Sequence, residues 1–71
     1  MKELQLIAKA ITHATQRHGI KIMDILAHDI KEGITNETPT EVHIYLKGSP
    51  IKAVVLLDKE GNIKDSYIRE L

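Results

Sequence analysis

Between Leu4 and His18 the apolar and small residues return every three or four positions. Leu4, Ile7, Ala8, Ile11, Ala14 and Thr15 form one stripe of an amphipathic helix, and Gly19 is placed to end it in the left-handed conformation. Similar spacing continues from Lys21 to Glu32, with Ile22, Ile25, Leu26 and Ile30 on one side, Asp24, His28 and Lys31 on the other, and Gly33 after the last turn. It predicts a second helix, although the isoleucines of Gly19-Ile20-Lys21-Ile22 also fit an extended segment. Helices are expected over about 2–18 and 21–33.

After the polar linker Thr35–Thr40, in which Pro39 biases Thr38 towards extended backbone, the period changes to two. Val42, Ile44 and Leu46 alternate with His43, Tyr45 and Lys47, which marks a strand over about 41–47. Gly48-Ser49, followed by Pro50, reads as a tight turn into a strand over about 51–58. Lys59-Glu60-Gly61 reads as a three-residue hairpin loop into a third strand over about 62–69. The expected fold is a single α+β domain, 1–71: a helical hairpin packed on one face of a three-stranded antiparallel meander, ααβββ.

The two turns imply a register. Leu46 faces Ile51, Ile44 faces Ala53 and Val42 faces Val55; across the second hairpin Leu57 faces Ile63, Val55 faces Asp65 and Ala53 faces Tyr67. The helices should cover the face with Val42, Ile44, Leu46, Ile51, Ala53, Val55, Leu57, Ile63 and Tyr67. Unusually, the central strand is apolar on its other side too. Val54, Leu56 and Ile68, with His43 and Tyr45 beside them and Glu41, Lys52 and Lys64 at the rim, are expected to form an exposed patch. Apolar patches with polar rims mark contact surfaces, so His43, Tyr45, Val54, Leu56 and Ile68 are the candidate partner-binding residues. A homodimer is the simplest occupant, with another protein as the alternative. Strands 41–47 and 63–69 offer sheet edges for β-augmentation.

Composition narrows the function. The chain has no cysteine, which removes disulfides and Cys-based zinc sites and fits a reducing cytoplasm. A thin core in a chain this short favours oligomerisation. Ten basic and ten acidic residues give a formal net charge of zero, so there is no basic surplus for phosphate neutralisation. No apolar run approaches the roughly 20 residues of a membrane span, and the expectation is a soluble, cytoplasmic protein.

The side-chain chemistry does not point to an enzyme, and no catalytic residue, metal ligand or cofactor is expected. His13 and His18 are five apart, off the helical ligand spacing; Asp24 and His28 have it but lack the two further ligands that zinc needs. Helical projection places Asp29 on the apolar side of the second helix, as a rim residue or a buried functional carboxylate, and Asp65 with Arg69 as a rim ion pair. Ser49 and Ser66 lack a suitable histidine neighbour. The outline helix, turn, helix, hairpin resembles a winged helix-turn-helix and makes nucleic-acid binding the alternative. Its reading segment, residues 20–40, carries Lys21 and Lys31 against Asp24, Asp29, Glu32 and Glu37, a formal charge of −2, and no arginine to bridge guanine. A non-enzymatic interaction or regulatory module is therefore the leading expectation.

Overall fold

One helix lies across one face of a four-stranded antiparallel sheet in the computed structural model, which describes residues 3–35 and 37–71. The helix α1 runs Glu3–His18, followed by a short 3-10 turn at Ile22–Asp24. The strands are β1 (Ile25–Lys31), β2 (Thr40–Leu46), β3 (Ile51–Leu57) and β4 (Ile63–Glu70), in the spatial order β1-β2-β3-β4. The expected start of the first helix at residue 2, with Lys2, and Asn36 of the linker lie outside the described residues.

The second helix expected over 21–33 is not formed, and the sheet has four strands rather than three. Residues 25–31 pair antiparallel with β2, Ile30 opposite Val42 and His28 opposite Ile44. Two local features explain the difference. Lys21 has extended backbone and provides no side-chain cap, so a helix starting here would leave its first N–H groups unsatisfied. Meanwhile β2, with Val42 and Ile44 fully buried, has a second row of main-chain groups that only another strand can pair. The Asp24 carbonyl accepts from the Lys47 N–H at 2.8 Å, tying the 3-10 turn to the end of β2. Gly33 does not cap a helix either. It packs so closely on the Thr38 carbonyl that an added methyl group would collide with backbone.

Ala10 and Ala14 of α1, four apart and fully buried, bring the helix down onto Val42, Ile44, Ala53, Val55 and Leu57. Leu6, Ile11, Ile20, Ile25, Ile30, Leu46 and Ile63 close the margins of this core. Across β2 and β3, Ile44 lies opposite Ala53 and Val42 opposite Val55, as the alternation implies.

The β3–β4 hairpin departs from the expected register. Its loop closes with the Asp58 N–H donating to the Asn62 carbonyl at 2.9 Å, and Gly61 takes φ 85°, which a side chain would strain. The Asp58 carboxylate accepts from the N–H groups of Glu60 and Asn62 at 3.0 and 2.8 Å. The bond from the Asn62 N–H is the main reason that its pKa is held below the ordinary value. Leu57 pairs with Ile63, but Leu56 pairs with Asp65, so Lys64 is an extra residue in a β-bulge. Beyond it every side chain of β4 sits on the other face from the one expected. Val55 is opposite Ser66, Val54 opposite Tyr67 and Ala53 opposite Ile68.

The small size of Ala14 is what allows close helix–sheet approach. Replacing it with leucine is expected to cost about 1–3 kcal/mol by overpacking. Urea denaturation checks this; an unchanged midpoint would mean that the helix has room to lift.

Candidate functional site

With one helix on one side, the other side of the sheet has no covering layer among the described residues. Cross-strand pairing places its residues in three rows: Lys31, Glu41, Leu56 and Asp65; then Asp29, His43, Val54 and Tyr67; then Ala27, Tyr45, Lys52 and Arg69. Three basic and three acidic side chains share the face, so it has no net charge. The basic pair Lys52 and Arg69 lies at one end, and Glu41 and Asp65 at the other.

Of the five residues singled out from sequence, His43, Tyr45, Val54 and Leu56 are on this face, and Ile68 is not. The bulge turns Ile68, 41% exposed, to the helix side and brings Tyr67, 37% exposed, into its place. Val54 is on the face but is 0% exposed, outside the helix-side core cluster. Its cross-strand neighbours His43 and Tyr67, with Lys52 and Leu56 along its own strand, close over it. The contact residues on this side are therefore aromatic and amphipathic side chains around a buried valine. His43 Nε2 lies 2.8 Å from Glu41 Oε1, and its ring centroid is 6.5 Å from that of Tyr45. The Lys52 ammonium stands 5.4 Å from the Tyr45 ring centroid, a cation–π contact that holds the phenol ring against the sheet.

The edges also differ from expectation. Strand β2 is interior, and the open edges are β1 and β4. Asp29 is exposed on β1 opposite His43, where no apolar helix face surrounds it. Asp65 and Arg69 lie on the helix-free face rather than under the helix, opposite Leu56 and Lys52. Near the start of β1, Ile22, Met23 and Leu26 are exposed, with Leu26 in an irregularity of the β1–β2 ladder.

On the helix side the fold makes a contact that sequence spacing did not suggest. His13 and His18 both reach Ser66, their Nε2 atoms 2.8 and 2.9 Å from its Oγ. Their rings meet edge to face with centroids 6.4 Å apart. A serine hydroxyl has one proton, so with both rings neutral it donates to one imidazole and accepts from the other. Five residues along a helix separate two side chains by more than one turn, and both converge only because a third residue on β4 lies between them. The bulge that turns Ser66 inward is the missing signal. A groove of about 360 Å³ runs beside His13, lined by Ala8, Lys9, Thr12, Gln16 and Ile63.

The trio is poorly equipped for chemistry. Among the described residues neither imidazole has a carboxylate to orient it, which a serine nucleophile with a histidine base uses. Among the described residues no three or more His, Cys, Asp or Glu side chains are grouped to hold a metal. No described helix is long and apolar enough to cross a membrane. No protein-family model, curated protein or solved structure matches the chain.

Partial burial first, then Arg17, then His13, lower the pKa of His18 below its ordinary 6.5. The fold therefore favours neutral His18. The stability it contributes is present above the unfolded value and is lost as pH falls towards the lower folded value. Thermal midpoints measured from about pH 7.5 to about pH 5 should fall more steeply for the wild type than for His18→Gln. Parallel curves would remove this role for His18.

Proposed function

We propose that this chain is a small, non-enzymatic interaction module that self-associates through the uncovered part of its sheet, in a reducing, intracellular setting to which its lack of cysteine is suited. The observation that carries this reading is the helix-free face, where Tyr45, Leu56 and Tyr67 surround buried Val54 and no second layer among the described residues covers them. Tyrosines at the centre of a contact can carry much of its energy, because a large ring is buried at small entropic cost. Equal numbers of basic and acidic groups on the face suit a protein surface better than a polyanion. The winged helix-turn-helix alternative loses the second helix that supported it, since that segment is a 3-10 turn and an edge strand.

A second reading has one observation in its favour. Tyr45 and Tyr67 share a face with Lys52 and Arg69 between and beside them, an arrangement on which single-stranded nucleic acid can stack.

Sedimentation equilibrium across a wide concentration range tests the first reading, with a reversible dimer expected; a monomer throughout would overturn it. Fluorescence anisotropy with a labelled single-stranded oligonucleotide at low salt addresses the second. Saturable binding that Tyr67→Ala abolishes would favour it over self-association.

A further inference from the structure

We infer that two copies of this chain pair antiparallel along β4, about a two-fold axis through Tyr67, to make one continuous eight-stranded sheet. This inference rests on the self-association proposed above and places its contact along the open β4 edge, with Tyr67 of the helix-free face on the axis. The argument starts from the main chain. The Leu71 N–H donates to the Pro50 carbonyl at 2.9 Å, and β3–β4 pairing continues in step through Lys52–Arg69 and Val54–Tyr67. Because main-chain direction alternates along a strand, the N–H and C=O groups of Ser66, Ile68 and Glu70 then point away from β3, along the open edge. They are a ready template for another strand.

Charged residues on an edge normally discourage such pairing, but here their order does the reverse. The segment Ile63-Lys64-Asp65-Ser66-Tyr67-Ile68-Arg69-Glu70-Leu71 is antisymmetric in charge about Tyr67. Antiparallel self-pairing centred there sets Asp65 against Arg69 of the second copy and Arg69 against its Asp65, on the helix-free face. At the ends, Lys64 comes beside Glu70 of the second copy and Ile63 beside its Leu71. Ser66 and Ile68 form the outward-bonded pairs, and the two Tyr67 rings meet on the axis. A slip of two residues either way puts Asp65 opposite a tyrosine or leucine and Arg69 opposite an isoleucine or tyrosine, so the opposite-charge pairing is lost. Attraction therefore exists in one register. The other open edge is less suited, because β1 is irregular between Ile25 and Ala27 and ends at Lys31, before the turn at Gly33.

The antisymmetry gives a specific test by native mass spectrometry and sedimentation. Arg69→Glu and Asp65→Arg each place two like-charge pairs in the interface, so each variant alone should associate at least about tenfold more weakly than the wild type. Mixed in equal amounts they should recover a one-to-one heterodimer, since both cross-strand pairs then join an acidic side chain of one variant to an arginine of the other. Both positions are exposed, and circular dichroism confirms that each variant folds. Lys31→Glu, exposed at the end of β1 on the opposite edge of the sheet, should stay dimeric. If the wild type dimerises but the single variants dimerise equally well, or the mixture recovers nothing, the β4 register is overturned while self-association stands. Loss of the dimer in Lys31→Glu alone would transfer the interface to the β1 edge. A wild type that is monomeric at every concentration overturns both readings.

Discussion

The structure depends on how closely α1 can approach the sheet at Ala10 and Ala14. Two fully buried alanines one turn apart join Val42, Ile44, Ala53, Val55 and Leu57 in one buried cluster. Among the described residues a single helix of 16 residues is the whole of the second layer, so it must bury as much apolar surface per residue as it can. Larger side chains at those positions would lift it, and the margin residues Leu6, Ile11 and Ile63 would lose their contacts together.

From that constraint follows the asymmetry of the molecule. One helix covers one face, and the other face must be stable in water while β3 remains apolar on both sides. The solution is local: Val54 is sealed by the side chains around it, each of which keeps a polar end or an exposed edge. His43 is held by Glu41, and Tyr45 by Lys52. Such a surface is stable alone yet remains suited to contact, because burying tyrosine rings and lysine stems against a partner adds apolar contact without stranding a charge.

The bulge at Lys64 is a single inserted residue with consequences on both sides of the sheet. It places Tyr67, Asp65 and Arg69 on the helix-free face and Ser66 beneath the helix, where it joins His13 and His18. Without it, Asp65 would take the place opposite Val55 that Ser66 holds beside the two histidines, and Arg69 would also be under α1. The Asp58 side chain, which satisfies the N–H groups of Glu60 and Asn62, holds the loop from which this offset is set.

Local pattern by itself placed α1 along the chain, and strict alternation across a short turn set the β2–β3 register. The stripe read on α1 is not its packed face: Leu4 and Ala8 are exposed, while Leu6 and Ala10 pack on the sheet beside Ile11 and Ala14. Local pattern also identified His43, Tyr45 and Leu56 as residues of the face away from the helix. Tertiary structure decided the rest. Ile25–Lys31 has isoleucines and a leucine at spacings compatible with either helix or strand, and the unpaired edge of β2 selected the strand because its main-chain groups need partners. The face of every β4 residue turned on one bulged position, which the period-two pattern of so polar a strand does not mark. The joining of His13, His18 and Ser66 required both the helix crossing and that bulge, since neither local spacing nor pairing in the regular register brings the three together.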